Sequence, residues 1–234
     1  MPPRLALITG VGRAGQVGES VARALASRGD HVLLVGHGLD EAGQRAAELA
    51  AAGWQATAYA CDLADEAAVR ALAARVQAAH GAVLHALVNL AGGFSLSGPV
   101  TESTLDEWEH LTRINLLTAY HTTRAFLPSL RGARGSIVYF ASEAALPAAP
   151  VAGRWAYAAA KGAVVTLMRA VAQEERDAGV RANALAPTSI RTESNLAAMG
   201  PAARYVERDD VAAAAAFLCS DAARAVTGQV IRLG

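Results

Sequence analysis

The sequence predicts a doubly wound α/β fold, in which a seven-stranded parallel sheet is covered by helices on both faces. Short apolar runs alternate with longer helix-like segments along the chain. The runs also lack the strict in/out alternation of a sheet with one solvated face, and strands buried on both faces are typically continuous apolar runs. In such sheets the ligand lies beyond the carboxyl ends of the strands. Candidate functional residues are therefore expected at that edge.

The predicted strands are brief and bounded by Gly, Pro, Asp or Ser. They cover residues 5–9, 31–35, 56–60, 85–91, 136–141, 180–186 and 229–233. Ala-rich segments of high helix propensity predict helices near 17–28, 40–52, 65–80, 104–131, 155–178 and 208–220. The 234 residues are 53% hydrophobic, enough for one large domain and its core, and no linker or composition break marks a second one. We expect 1–234 to form a single domain.

Composition and charge favour a small-molecule ligand. Lys and Arg number 21 and so do Asp and Glu, and the absence of a basic block argues against nucleic acid or an anionic membrane as partner. No stretch reaches the ~18 apolar residues of a membrane span, and the N-terminus has too few for a secretory signal, so we expect a cytoplasmic protein. Cys61 and Cys219 are isolated and are interpreted as small buried thiols, and the histidines form no HExxH motif, so no metal is expected.

Four glycines follow the first predicted strand, in TGVGRAGQVGES from Thr9 to Ser20. Helical register assigns Gly18 as the residue that packs closely, because Ala22 and Leu25 lie on the same helical face. Gly10 is expected to make the tight turn after the strand. Between them, VGRAGQV is expected to wrap over a pyrophosphate held by backbone N–H groups and the positive end of the helix. The loop alone would also suit another phosphate or the methionine moiety of a methyl donor.

The segment YAAAK places Tyr157 and Lys161 on one face of a helix, where the ammonium would favour the phenolate. A free tyrosine has a pKa near ~10, so the lysine would supply the tuning that a general acid/base needs. Ser142, at the end of the strand GSIVYFAS, is placed to hydrogen-bond the same substrate oxygen. A random YxxxK more often holds a packed tyrosine and a solvated lysine, so the rest of the chain must decide.

The chain resembles the classical short-chain dehydrogenase/reductase (SDR) family over nearly its whole length. The matching motifs are TG at 9–10, CDL at 61–63, NLAG at 89–92, RIN at 113–115, SIVYFAS at 136–142, YAAAK at 157–161, NALAP at 183–187 and TGQVI at 227–231. Their joint order is far more specific than any one of them. The resemblance implies a Rossmann-type, NAD(P)(H)-dependent oxidoreductase that transfers a hydride between nicotinamide and a small carbonyl or secondary-alcohol substrate.

The resemblance also implies roles for individual residues. Tyr157 would be the general acid/base, Lys161 its partner and a ribose ligand, and Ser142 the hydroxyl that positions the carbonyl. Asn115 would support a water-mediated proton path. The residues implied at the adenine, ribose, nicotinamide and carboxamide are Asp62, Leu63, Asn89, Ala91, Gly92, Ile190 and Thr192, and the glycine loop adds Gly10, Val17 and Gly18.

The glycine loop and strand six depart from the family pattern. The usual TGxxxGxG would place glycines at positions that Ala14 and Gln16 occupy, and the helix glycine, Gly18, follows a longer loop. That spacing is similar to the divergent enoyl-acyl-carrier-protein reductase branch, whereas the spacing of YAAAK is not. Thr188 stands where the family has glycine after Pro187.

The end of the second predicted strand bears on the choice of cofactor. An NAD site usually has an acidic residue there for the ribose hydroxyls. This chain has His37 between two glycines, and the nearest acid, Asp40, belongs to the next helix. Arg13 is the only cation of the glycine loop and is expected to form a positive wall with His37 for a 2′-phosphate. We therefore expect NADP(H) to be preferred, with NAD(H) possible; a simply solvated Arg13 is the alternative.

Other function classes remain open at this stage. One is a nucleotide-binding, SDR-like regulator or scaffold without turnover, and another is a methyltransferase on a similar fold, which would leave the Tyr/Lys pair unexplained. Phe94 and Trp155 are candidate walls of the substrate pocket, and each would equally suit an ordinary core or interface position, while TESNLAAMGPAARYVERDD is expected to form a lid. A small ketone, an acyl-thioester ketone and a cyclic ketone all remain open as substrates. The predicted helices 104–131 and 155–178 carry apolar residues on more than one face, which indicates a partner surface. These residues are Leu105, Trp108, Leu111, Leu116 and Leu117 in the first helix and Val164, Leu167, Met168 and Val171 in the second. The family resemblance points to a homotetramer.

Overall fold

The computed structural model describes residues 3–234 and has the predicted sheet. Its strands are β1 (Leu5–Thr9), β2 (His31–Gly36), β3 (Ala56–Ala60), β4 (Ala86–Asn89), β5 (Ser136–Phe140), β6 (Arg181–Pro187) and β7 (Val230–Leu233). They are ordered β3-β2-β1-β4-β5-β6-β7, and every neighbouring pair is parallel. The predicted doubly wound, Rossmann-type fold is confirmed.

Helices cover both faces of this sheet. They are α1 (Val17–Ala26), α2 (Leu39–Ala51), α3 (Glu66–His80), α4 (Leu105–Thr112), α5 (Thr118–Ala133), α6 (Trp155–Glu174), α7 (Glu193–Met199) and α8 (Arg208–Leu218). Within residues 3–234, we find no helix with the length and apolar character that crossing a membrane requires.

Successive strand residues point to opposite faces and build two cores. In β1, Leu7 packs on the side of α3, α5 and α6, whereas Ile8 packs on the side of α1, α2 and α8. All five residues of β1 are buried, which explains why the strand is a continuous apolar run. Cys61 and Cys219 are buried free thiols, as predicted.

Two element boundaries differ from the prediction for identifiable reasons. β4 ends at Asn89 rather than at residue 91, because the N–H groups of Leu90 and Ala91 turn away to donate to Oγ1 of Thr9, each at 3.1 Å. The single predicted helix 104–131 begins with a capping box at Thr104 and is interrupted by a π-helical turn, Arg113–Leu117. Part of the expected lid forms α7.

Strand order reverses between β1 and β4, which lie side by side at the centre of the sheet. Such a switch point opens a crevice at the carboxyl ends of the strands, where ligands of these folds bind. Gly10 follows β1 there, and Leu90 to Gly92 follow β4. The glycine loop and the NLAG motif therefore meet at one place.

Candidate active site

Tyr157, Lys161 and Ser142 line one cavity of about 620 Å³ at the carboxyl edge of the sheet. α6 begins at Trp155, so Tyr157 and Lys161 lie on successive turns of its first half. Lys161 is buried, and its Nζ donates to the carbonyl oxygen of Phe140, the last residue of β5, at 2.8 Å. Ser142 follows β5 and accepts a hydrogen bond from the N–H of Ala144 at 3.2 Å. The end of β5 thus brings the three predicted catalytic side chains together.

Burial acts on both members of the Tyr/Lys pair. It lowers the pKa of Lys161 from 10.5 to about 8, because the ammonium loses its hydration. It also raises the pKa of Tyr157, while the Ser142 hydroxyl and the Arg154 guanidinium act in the opposite direction. The expected lowering by Lys161 is therefore not what this structure shows. Lys161 Nζ lies 5.9 Å from the centre of the tyrosine ring and is bonded to Phe140 instead.

Asn115 reaches the site through the π-helical turn. Its side-chain amide donates to the carbonyl oxygens of Gly93 at 2.9 Å and Leu111 at 3.0 Å, and its Oδ1 accepts from the N–H of Gly93 at 3.2 Å. A Cβ added to Gly92 would lie 2.5 Å from Asn115 Oδ1 and 3.1 Å from Lys161 Nζ. The absence of a side chain at Gly92 thus lets Asn115 and Lys161 both lie close to the Gly92 backbone. π-helical turns are rare and frequent at functional sites.

The glycines of the first loop have the roles that helical register predicts. Gly10 has a positive φ of 75°, and an added Cβ would lie 2.8 Å from the backbone of Ala91. Gly18 lies in the first turn of α1, where a Cβ would lie 2.9 Å from the carbonyl oxygen of Gly10 and 3.2 Å from Cα of Val11. One glycine therefore permits the turn and the other permits the helix to pack against it.

Carboxylates contact this loop, which the sequence did not reveal. Oε2 of Glu19 accepts from the N–H of Gly15 at 2.7 Å. Oε2 of Glu41, in the first turn of α2, lies 2.9 Å from the position that a Cβ on Gly12 would occupy. α2 thus brings the carboxylate of Glu41 to the glycine loop, whereas the sequence expectation named Asp40 as the nearest acid. Arg13 and His37 are exposed, and Arg13 has no hydrogen bond or ion pair within the described part of the chain.

The remaining predicted cofactor residues fall into two groups. Val17, Gly92 and Ile190 line the cavity with the catalytic side chains. The others do not line that cavity. Asp62 pairs with Arg113 at 3.0 Å, Leu63 is buried, Asn89 bonds Thr122 and Thr123, Ala91 is bonded to Thr9, and Thr192 caps α7.

The structure places the two candidate pocket walls, Phe94 and Trp155, in different cavities. Phe94 lines the cavity and packs edge-on against Tyr157, with ring centres 5.1 Å apart. Trp155 instead stacks on Trp108 at 5.4 Å and lines a separate cavity on the outer side of α6. The interpretation of Trp155 as a wall of the active site is therefore wrong, because the helix turns it away from Tyr157.

Several residues of the cavity were not predicted from the sequence. They are Leu90, Phe140, Glu143, Arg154, Ser189, Asn195 and Met199. Asn195 and Met199 come from α7, within the stretch expected to be a lid. Arg154 immediately precedes α6, and its proximity to the YAAAK motif was the available signal.

The described residues fit a nicotinamide nucleotide. The cavity extends from Val17 at the start of α1, past Gly92 after β4, to Tyr157 and to Ile190 beyond β6. It therefore joins the glycine loop, where helix N–H groups favour phosphate, to the proton-exchanging side chains. Gly92 lines this path without a side chain.

Known proteins resemble this chain over nearly its whole length. A family model described as Enoyl-(Acyl carrier protein) reductase matches residues 10–233. D-threitol dehydrogenase of Mycolicibacterium smegmatis is 34% identical over 237 residues, which cover 96% of this chain and 89% of that protein.

Solved structures also resemble this chain over nearly its whole length. A short-chain type dehydrogenase/reductase from Mycobacterium ulcerans superposes with a TM-score of 0.89 at 33% identity, covering 98% of this chain and 88% of that one. A gluconate 5-dehydrogenase from Burkholderia cenocepacia, in complex with NADP and tartrate, has a TM-score of 0.90 at 30% identity, covering 100% and 94%.

Proposed function

Because this chain belongs to the short-chain dehydrogenase/reductase family and is an NAD(P)-dependent oxidoreductase, we propose that Tyr157 exchanges a proton with the oxygen of a carbonyl or secondary-alcohol substrate. The nicotinamide, when bound, supplies or accepts the hydride. The observation that carries the proposal is the convergence of Tyr157, Ser142 and Lys161 on one cavity at the switch point of the sheet. The relatives favour this enzyme over a silent nucleotide-binding protein.

Each neighbour of Tyr157 has a defined part in the proposal. The Ser142 hydroxyl hydrogen-bonds the substrate oxygen as charge develops on it. Lys161 has a pKa of about 8, so both its protonation states are accessible near neutral pH, and it can hold or release a proton beside the phenol. Asn115 is a positioning residue, since its bonds to Gly93 hold the loop that borders Lys161.

Replacing Tyr157 by Phe tests the proton-transfer role. The ring keeps its packing on Phe94 but loses the proton, so kcat should fall by roughly 10²- to 10⁴-fold while cofactor affinity is largely retained. NADPH or NADH consumption with a panel of ketones gives kcat, and calorimetry gives the cofactor Kd. Tyr120→Phe, at an exposed position, is the control and should leave both unchanged. A Tyr157→Phe variant with most of the wild-type rate would place the proton donor elsewhere.

NADP(H) is the preferred cofactor in this proposal, with NAD(H) possible. Arg13 supports it, because its guanidinium is exposed and unpaired within residues 3–234 and lies in the loop that would cover the phosphates. The gluconate 5-dehydrogenase of similar fold was solved with NADP. Glu41 opposes a 2′-phosphate, since its carboxylate lies against Gly12 of the same loop. Selectivity is therefore a balance between Arg13 and Glu41.

Paired variants measure that balance. A hydrogen bond to a charged group is worth ~1.5–3 kcal/mol, so Arg13→Ala should weaken NADPH binding by roughly 10- to 150-fold and leave NADH binding nearly unchanged. Glu41→Gln should strengthen NADPH binding, because it removes the repelling charge. Arg70→Ala, an exposed arginine on α3, is the control. Equal losses for both cofactors in Arg13→Ala, or a wild type that prefers NADH, would contradict NADP(H) preference.

The same proposal includes a homotetramer that works in the cytoplasm. Several apolar residues that suggested a partner surface, namely Leu111, Val164, Met168 and Val171, are buried within the subunit and do not support it. Leu105 does, because it is 67% exposed at the start of α4. The outer side of α6 also borders a cavity of about 630 Å³ with an apolar wall that includes Trp155 and Val165. These surfaces would be covered by a second copy.

A further inference from the structure

The cavity around Tyr157 contains an arginine, Arg154, that pairs with no carboxylate among residues 3–234. Besides Tyr157 and Lys161, its ionisable lining residues are Glu143 and Arg154. The carboxylate of Glu143 pairs with Arg232 at 3.3 Å. The guanidinium of Arg154 has no carboxylate within ion-pair distance among residues 3–234, and the one hydrogen bond of this side chain there runs from Nε to the carbonyl oxygen of Pro150 at 2.9 Å.

The Arg154 side chain is held by one hydrogen bond and keeps most of its donors free for a ligand. The hydrogen bond to Pro150 holds the guanidinium at the N-terminus of α6, because Arg154 directly precedes Trp155, the first residue of that helix. A guanidinium has five N–H donors in a planar fork, so four remain for a ligand. The positive charge is also close enough to lower the pKa of Tyr157, against the effect of burial. The guanidinium charge is therefore felt at the Tyr157 hydroxyl, in the cavity where the substrate oxygen would lie.

The other walls limit what can lie beside this charge. Phe94, Ile190 and Met199 present apolar surface, while Ser189 and Asn195 supply neutral polar groups. A cavity of about 620 Å³ that must also admit the nicotinamide leaves room for a small substrate only. Carboxylate and phosphate oxygens both match the guanidinium fork, and the carboxylate is the smaller of these two anions.

We propose that Arg154 binds a carboxylate of the substrate, so that the enzyme acts on a small keto acid or hydroxy acid whose reacting oxygen lies between Ser142 and Tyr157. This rests on the proposed function and adds the substrate class and the residue that selects it. Two anchoring points, the oxygen at Tyr157 and the carboxylate at Arg154, fix which face of the carbonyl meets the nicotinamide. Arg154 is then a specificity-determining residue.

The test compares acids with their uncharged methyl esters. Pyruvate, acetoacetate and 4-oxopentanoate, each beside its ester, sample three distances between carbonyl and carboxylate. We expect at least one acid to exceed its ester in kcat/KM, and Arg154→Gln to reduce that acid-to-ester ratio by roughly 10- to 150-fold. The ratio cancels any change in the pKa of Tyr157, because both substrates meet the same phenol. Arg154→Lys should restore part of the ratio, and Arg169→Gln, on the same helix, should leave it unchanged.

The outcomes separate this inference from the proposed function. If the wild type reduces esters and acids equally well, and Arg154→Gln leaves the acid-to-ester ratio of kcat/KM unchanged, the inference is overturned. The proposed oxidoreductase activity would still stand. If no ketone is reduced, calorimetric titration of the three acids into protein saturated with NADP⁺, which cannot reduce a ketone, decides instead. Binding that Arg154→Gln abolishes supports the carboxylate site, and binding that it leaves intact, or none in the wild type, overturns it.

Discussion

At the scale of single residues, Lys161 shows how burial shifts the pKa of a side chain towards neutral pH. Its ammonium is enclosed and keeps a single protein hydrogen bond, to Phe140. Losing hydration without an opposite charge lowers its pKa from 10.5 to about 8. The same enclosure raises the pKa of Tyr157. Between about pH 8 and pH 10, both groups therefore favour their neutral forms, whereas below pH 8 Lys161 favours its ammonium form.

The Lys161 shift predicts how stability depends on pH. Between pH 8 and 10.5 the unfolded chain keeps this proton while the folded protein has released it, so the free energy of unfolding rises with pH across that window. Below pH 8 both states are protonated and the term is constant. Lys161→Met lacks the term, so the wild type should gain up to about 3 kcal/mol relative to this variant across the window. Urea unfolding of both proteins from pH 7 to pH 10.5 measures it, and parallel curves would contradict it.

At the scale of elements, the turn between β1 and α1 depends on contact between backbone atoms. Gly18 brings the first turn of α1 against the carbonyl oxygen of Gly10, and Gly10 brings the turn against Ala91 beyond β4. Neither position has space for a methyl group, and the backbone atoms that it would meet cannot rotate away. The crevice is therefore shaped by the two glycines before any ligand arrives.

A pair of Gly→Ala variants checks this. Gly18→Ala should lower the free energy of unfolding by about 1–3 kcal/mol, because its Cβ would lie 2.9 Å from a backbone oxygen. Gly43→Ala is the matched control inside α2, where nothing lies within 4 Å of the added Cβ, and it should stabilise the protein by about 0.5–1 kcal/mol. Chemical denaturation compares them. Stabilisation in both variants would show that Gly18 is not in close contact.

At the scale of the whole molecule, the folded subunit leaves apolar side chains exposed or half-buried on the helices expected to form the interface. Leu105 exposes a large apolar side chain, and the half-buried Leu116, Leu117 and Leu167 lie on helices of the expected interface. Burying them against another copy would remove apolar area from water, which drives most protein association. This is the physical basis for the proposed tetramer.

Light scattering at micromolar concentration should give about four times the chain mass. Leu105→Arg should weaken the assembly, because it places a charge on a surface that would otherwise be covered. Leu39→Arg, also at an exposed leucine, lies on α2 outside that surface and should not. A wild type that remains a stable monomer would reject the assembly.

The sequence alone determined the fold and the positions of the catalytic side chains. Strand burial, helical period and the YAAAK spacing are local properties, so the parallel sheet, the packing of Gly18 and the shared helix of Tyr157 and Lys161 could be predicted from neighbouring residues. The cofactor and catalytic roles themselves remain predictions that the variants above test.

Only the tertiary structure decided what surrounds those side chains. Glu41 lies beside Gly12, Asn115 holds Gly93 through a π-helical turn, and Trp155 faces away from Tyr157. Arg154 lines the cavity with no ion pair among residues 3–234, whereas Glu143, which lines the same cavity, pairs with Arg232 near the other end of the chain. Such contacts depend on the packing of elements far apart in sequence, and no local period encodes them.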